Sequence, residues 1–321
     1  MKSLYKIFHP EIFQGSLKNN NYFEGWYFKH VSADTGNAFA IIAGISLSDD
    51  SHSFIQYIDG NTGKTSYFRY SLSEFIVNRR EFEVRIGRSA FSEKAISLDL
   101  SNDEFRIMGE IRNLNTSPLP KKILNPGIMG WYSFVPTMEC NHGVVSTGHS
   151  LEGQITVNGQ VSDYSGGKGY IEKDWGISFP ESWLWMQCNN FGTDNVSVMM
   201  SIAKIPWRRS FFIGFISFIN INDRTKILAS YNGAEVVKLC RLDSNNTQVI
   251  ISQGSLALSA VIAKKGAGTL KAPLMGLMNN VIKESINSGV FLELKDGNEL
   301  LFSGNGVRVG YEETDRIFAY F

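Results

Sequence analysis

The alternation of short β-prone runs with tight-turn dipeptides constrains this chain more than any other feature. Runs rich in Val, Ile, Phe, Tyr and Thr recur at residues 39–46, 54–58, 82–86, 155–157, 196–202, 211–221 and 248–252. Asp59-Gly60, Asn158-Gly159, Asn232-Gly233 and Asp296-Gly297 punctuate them. Such pairs reach positive φ at little steric cost and join adjacent antiparallel strands. Parallel strands would need crossovers of a dozen or more residues, usually helical, and the pattern offers no series of these. The chain reads as all-β, built from antiparallel barrels or sandwiches. One exception is expected. Apolar residues at Leu274, Leu277, Met278, Val281, Ile282 and Ile286, with Pro273 before them and Gly289 after, follow a 3.6-residue period and predict one amphipathic helix over 273–289.

At 321 residues the chain is long enough for two β domains. A shift of 159 residues brings related features into line: Trp26 onto Trp185, residues 39–42 onto 198–201, residues 109–112 onto 268–271, and Gly130 onto Gly289. One constant offset close to half the chain length predicts a duplication, with tandem domains over 1–165 and 166–321 and the Gly-rich residues 166–169 as the linker. Two such barrels would each have room for a cavity, and a ligand cleft is expected where they meet.

Charge narrows the function classes. Lys plus Arg total 31 and Asp plus Glu total 31, so no excess of cations is available to face nucleic acid. The three cysteines, Cys140, Cys188 and Cys240, form no CxxC pair, which removes a zinc ribbon or redox motif. The apolar stretch 211–221 has 11 residues, about half of a membrane-spanning helix. Residues 1–10 carry no secretory apolar segment, so a cytoplasmic protein is expected, with peripheral membrane contact left open at Trp207-Arg208-Arg209. No Gly-x-Ser-x-Gly elbow supports a hydrolase. Gly304-Asn305-Gly306 with Gly310 has the wrong last interval for a dinucleotide fingerprint. His142 and His149 on one strand would lie about 23 Å apart, too far for one metal. Neither a metal nor a cofactor is expected, and His149 is read as a proton donor pointing into a cavity.

Two segments concentrate chemistry: residues 22–29 (YFEGWYFK), and residues 169–176 (GYIEKDWG) followed by Phe179-Pro180 and residues 183–189 (WLWMQCN). Both set carboxylates among aromatic rings. Residues two apart on a strand share a face, so Glu24, Trp26 and Phe28 point one way and Tyr27 and Lys29 the other. Glu172 pairs with Asp174 in the same sense, and Trp183 with Trp185 and Gln187. A carboxyl group among aromatic walls is disfavoured as an anion, and aromatic faces stabilise positive charge. These are parts for protonating an alkene and shielding a carbocation; core filling and structural ion pairs use the same parts.

His9-Pro10-Glu11 with Phe13-Gln14-Gly15, then residues 22–29, resembles the N-terminal signature of the tocopherol cyclase family. Residues 172–191, with Glu172-Lys173-Asp174-Trp175-Gly176, Phe179-Pro180, Trp183, Trp185, Gln187-Cys188-Asn189 and Phe191, resemble the family's central motif. The resemblance implies two lipocalin-like domains, related at fold level to carotenoid hydratases and pericyclase-type enzymes. It implies a cofactor-independent cyclisation, in which a prenyl double bond is protonated and a neighbouring phenol oxygen closes a chromanol ring. Glu24, Glu172 and Asp174 are then candidate acids beside His149. Trp26, Trp175, Trp183 and Trp185 would line the cation path, and Tyr27, Lys29, Lys173, Gln187 and Asn189 would orient the quinol oxygens. Plant members tend to carry Asn at the position of Asp174, which favours Glu24 or Glu172. The partner is a hydrophobic small molecule. The competing readings are a hydrophobic-ligand carrier without turnover, and a related hydratase or pericyclase.

Overall fold

The computed structural model describes residues 4–192 and 195–321. Among them the chain is almost entirely strand, in two antiparallel sheets. The first sheet contains β1 (Tyr22–Val31), β2 (Ala38–Leu47), β3 (His52–Asp59), β4 (Thr65–Tyr70), β5 (Phe75–Val77), β6 (Glu83–Ile86), β7 (Ser89–Ser92), β8 (Ala95–Ser101), β9 (Arg106–Leu114), β10 (Cys140–Val157), β11 (Gln160–Asp163) and β12 (Lys168–Gly176). Their order is β4-β3-β2-β1-β12-β10-β9-β8-β7-β6-β5, with β11 added to β10. The second contains β13 (Trp183–Cys188), β14 (Val196–Trp207), β15 (Ser210–Ile221), β16 (Arg224–Ala229), β17 (Glu235–Arg241), β18 (Asn246–Gln253), β19 (Leu256–Ala263), β20 (Gly268–Leu274), β21 (Leu277–Asp296) and β22 (Glu299–Glu313). Its order is β16-β15-β14-β13-β22-β21-β19-β18-β17, with β20 added to β21.

The two orders repeat one plan. Four strands run as a meander, the last strand of the sheet closes against the first of the meander, and a second meander continues from there. This is the duplicated lipocalin-like architecture. The 159-residue offset finds β2 and β14 as counterparts, but it sets residues 109–112 of β9 against β20, whereas the counterpart of β9 in sheet order is β19. It also pairs Trp26 with Trp185 across opposite faces. Trp26 belongs to the first core, while Leu184 and Met186, the neighbours of Trp185, belong to the second. A slip of one residue on a strand turns every side chain over.

Alternation explains each core. β19 buries every second residue, and β8 does the same along most of its length. The first core gathers Trp26, Phe28, Ile41, Ile55 and Ile107; the second gathers Leu184, Met186, Val198, Leu258 and Leu292. Full burial of each such side chain contributes about 1.5–3 kcal/mol before entropy is counted. Asn158 at φ 50° and Gly159 at φ 83° make the positive-φ turn between β10 and β11 that the sequence predicts.

Two expectations are corrected. Residues 273–289 are not a helix: they fall on the end of β20, a turn at Met275 (φ 50°) and Gly276 (φ 78°), and β21. The apolar stripe is not a buried face, since Leu274 and Val281 are 50% and 61% exposed. The β-branched Val281, Ile282 and Ile286 suit the pleat that β21 enters. Residues 166–169 are not a linker. They turn the chain into β12, which pairs with β1 and β10 of the first sheet. The division into compact units therefore falls after Phe179, not at 165/166: one unit holds the chain up to Phe179 plus Thr269–Ile282, the other Pro180–Gly268 plus Lys283–Phe321.

Candidate functional site

β1 and β12 carry the two chemistry-rich motifs of the first unit and are neighbours in register. Glu24 lies opposite Trp175, Trp26 opposite Lys173, Tyr27 opposite Glu172, and Lys29 opposite Tyr170. Opposed residues of an antiparallel pair share a face. The pairing therefore sorts the candidates into two sets. Glu24, Trp26, Lys173 and Trp175 lie on the face of the first core; Tyr27, Lys29, Tyr170, Glu172 and Asp174 lie on the other.

On the core face, Glu24 and Lys173 form an ion pair with neither side chain exposed. Both are used up by the segment that precedes β1. The Glu24 carboxylate accepts the backbone N–H of Gln14 at 2.7 Å and of Gly15 at 2.9 Å, and the hydroxyl of Tyr22. Lys173 Nζ donates to the carbonyl of Pro10 at 2.9 Å and to that of Ile12. The ammonium sits 4.5 Å from the Trp26 ring centroid and 5.1 Å from that of Trp175. Trp26 Nε1 donates to the carbonyl of Glu11 at 2.7 Å. Burial pushes the lysine pKa down to about 8, against the raising effect of Glu24. This arrangement is a strap that fastens residues 10–15 across the sheet end. Four donors already converge on the Glu24 carboxylate.

On the other face, β10 completes a second cluster. His142 lies opposite Asp174 and Val144 opposite Glu172. His142 Nδ1 is 2.8 Å from Asp174 Oδ1. Its Nε2 is 3.3 Å from Glu172 Oε2, within ion-pair distance. The hydroxyl of Tyr170 donates to Glu172 at 2.6 Å. Burial opposes the imidazolium, yet Asp174 and Glu172 on either side outweigh it and raise the His142 pKa to about 10. The ring therefore carries both protons near neutrality, with Nδ1–H committed to Asp174. One atom from each of His142, Glu172 and Asp174 lies within 4.8 Å of the others, a spacing a metal ion could also use. In this structure the imidazolium supplies the positive charge between the carboxylates. Beside it, a cleft of about 20 Å³ lined by Pro10, Gln14, Ser133, His142 and Trp175 has room for about one water.

Tyr27 and Lys29 are buried on the same face as this cluster, at 7% and 0% exposure. His149 is elsewhere: it lies opposite Gly169, on the core side, where burial pushes its pKa down to about 3. Trp183, Trp185, Gln187 and Asn189 belong to the second unit and are all buried. The three on β13 point away from that unit's core, and Trp183 Nε1 donates to Glu312 at 2.8 Å. Sequence reasoning missed His142 as a member of the carboxylate cluster, and Tyr170 with it. The signal is non-local: Asp174 and His142 stand 32 residues apart and meet only through the β10–β12 register.

Comparison with known proteins places the chain in a family. Residues 120–305, more than half of the chain, match the tocopherol cyclase-like family. A probable chloroplastic tocopherol cyclase of Oryza sativa subsp. japonica is 31% identical over 74 residues, which is 23% of this chain and 16% of that protein. The chloroplastic tocopherol cyclase of Zea mays is 30% identical over 74 residues, with the same shares. The match thus spans about a sixth of the length of these relatives. Among solved structures, CghA with Sch210972 has a TM-score of 0.56 at 11% identity, covering 91% of this chain and 88% of that one. Kievitone hydratase of Nectria haematococca has a TM-score of 0.51 at 11% identity, covering 91% and 89%. At that identity the structures show a shared fold. By the family match across the greater part of its length, this chain belongs to the tocopherol cyclase-like family.

Proposed function

We propose that this protein is an enzyme that cyclises a prenylated hydroquinone, or a related isoprenoid alkene, by proton transfer without a cofactor. The observation that carries the reading is the buried His142 ring held between two carboxylates, with Nδ1 2.8 Å from Asp174 and Nε2 3.3 Å from Glu172. Family membership and the names of the rice and maize relatives support the reaction class.

In this mechanism the Nε2 proton passes to the less substituted carbon of the prenyl double bond. The phenol oxygen attacks the tertiary carbon and forms the ring C–O bond. The phenol proton returns to His142 through Glu172, so atoms and charge balance and the reaction is an isomerisation. Asp174 holds the ring in position and Tyr170 orients Glu172. Tyr27 and Lys29, on the same face, are assigned to the quinol oxygens, and Trp183, Trp185, Gln187 and Asn189 to substrate contact on their own unit. Glu24, Trp26, Lys173 and Trp175 are assigned to the strap; they shape the site and do not transfer protons.

His142→Gln and Asp174→Asn test the reading against a panel of prenylated hydroquinones. Each is expected to lower turnover about 100-fold or more while substrate still binds. Turnover within threefold of the parent in both variants overturns the assignment. Incorporation of oxygen from heavy-oxygen water replaces cyclisation with hydration. Binding without product from any member of the panel makes the protein a carrier.

A further inference from the structure

A second group of polar side chains is buried inside the first unit, on the core face that the proposed reaction does not use. His30 on β1 and His149 on β10 lie opposite the same residue of β12, Gly169. They therefore flank one strand at one level and share its inner face. Gly169 makes this possible: a Cβ there would lie 2.2 Å from His149 Nε2 and 2.8 Å from Leu151 Cδ2. His30 is wholly buried and His149 is 7% exposed. Both ring nitrogens of His30, and Nε2 of His149, have no hydrogen-bond partner among the described residues. Asn113 on β9 lies opposite Leu151, two residues from His149 on the same face, and its Oδ1 is also unpartnered. Four polar atoms on β1, β10 and β9 thus face one apolar interior with no hydrogen-bond partner among the described residues.

Such atoms are costly to leave bare in a low-dielectric interior, because each lost its water on folding. The neighbours define what would satisfy them. The His30 ring stacks on Phe39 with centroids 4.7 Å apart, and Phe28 lies beyond at 6.4 Å. Burial holds both imidazoles neutral. Ser146 Oγ lies 3.0 Å from His149 Nδ1 and 3.2 Å from the carbonyl of Gly148. With the serine hydroxyl donating to that carbonyl, Nδ1 of His149 carries the hydrogen and Nε2 presents a lone pair. His30 offers one N–H and one lone pair, and Asn113 a carbonyl oxygen. The set donates once and accepts several times, and it is neutral. An ionic group there would be desolvated without a counter-charge. A neutral hydroxyl, which both donates and accepts, fits.

A cavity of about 710 Å³ lies in the same unit, lined by Tyr57, Asp59, Phe105, Tyr164 and others. Phe39, which stacks on His30, packs edge-on against Tyr164 at 5.1 Å and lies 6.0 Å from Tyr57, so an aromatic chain links the lining of that cavity to His30. We propose that the interior of the first unit is a second binding site, in which His30 and His149 hold the hydroxyl group of a neutral, largely apolar molecule admitted through the Tyr57–Tyr164 cavity. The site is independent of the His142 cluster and stands or falls without it.

The test compares 4-hexylphenol with its methyl ether, 4-hexylanisole, by calorimetric titration of the full chain, with imidazole nitrogen NMR alongside. The phenol is expected to bind at least tenfold more tightly than the ether and to shift the ring resonances of His30 and His149. His30→Phe and His149→Leu are each expected to bring the ratio within twofold while the ether binds as before. His30→Gln, which keeps one donor and one acceptor, is expected to retain part of the preference and guards against misfolding of the phenylalanine variant. His142→Gln is expected to leave the preference unchanged. Equal affinity for phenol and ether in the parent protein, ring resonances unmoved at saturation, or a preference that survives both histidine variants overturns the proposal.

Discussion

Lys173→Met is the sharpest perturbation of the fold, because this one ammonium ties the sheet to the segment before it. The substitution removes the ion pair with Glu24, two hydrogen bonds to the carbonyls of Pro10 and Ile12, and the contacts over Trp26 and Trp175. Methionine fills most of the lysine stem, so the packing loss is small. What remains is a fully buried carboxylate without its cation. Breaking one half of a buried pair costs about 3–5 kcal/mol, since the charge left behind is uncompensated. Glu24 keeps the N–H groups of Gln14 and Gly15 and the Tyr22 hydroxyl. Those three donors set the expectation at the lower end, about 3 kcal/mol. For a chain of 321 residues that is a fall of roughly 4–5 °C in the unfolding midpoint. The assay is urea and thermal unfolding of the parent, Lys173→Met, Glu24→Gln and the double variant. The double variant is expected to be less destabilised than the sum of the single variants by about 2 kcal/mol. Additive losses, or a Lys173→Met loss below about 1 kcal/mol, would refute the claim that the pair acts as one strap.

Three further outcomes follow from the same geometry. The His142 pKa is raised from 6.5 to about 10 in the folded chain, so its stabilising contribution is full below pH 6.5 and is lost as pH rises towards 10; the unfolding midpoint should fall across that window, and His142→Gln should flatten the fall. Gly276→Ala should lower the unfolding midpoint, because Gly276 sits at φ 78° and its added Cβ would lie 2.5 Å from the backbone nitrogen of Tyr22. Gly169→Ala should cost about 1–3 kcal/mol in urea unfolding by overpacking against His149 and Leu151, and the cost should shrink when His149→Leu is present.

The legible parts of the sequence were those written locally. Runs of β-branched and aromatic residues with Asn-Gly and Asp-Gly turns determined an antiparallel fold, because side-chain alternation and positive φ are properties of a few adjacent residues. The motif at residues 172–191 lies inside the stretch that matches the family, residues 120–305. The helix reading of 273–289 failed for the same reason that local reading works elsewhere. The apolar spacing there fits a helix, but the turn at Met275-Gly276 and the pairing of β21 with β22 at Glu284, Ser285 and Ser288 decide otherwise, and a ladder partner is invisible to spacing.

Pairing, and only pairing, decided which chemistry each candidate meets. Glu24 and Glu172 look alike in sequence, each a carboxylate between aromatic residues. The β1–β12 register puts Lys173 on the face of Glu24 and leaves Glu172 on the opposite face, where β10 brings His142. The same ladder sets His30 beside His149 across Gly169, 119 residues apart in the chain. Period-two alternation tells which residues share a face of one strand, but not which strand lies alongside. That choice belongs to the closure of the whole sheet, where long-range contacts outweigh local preference.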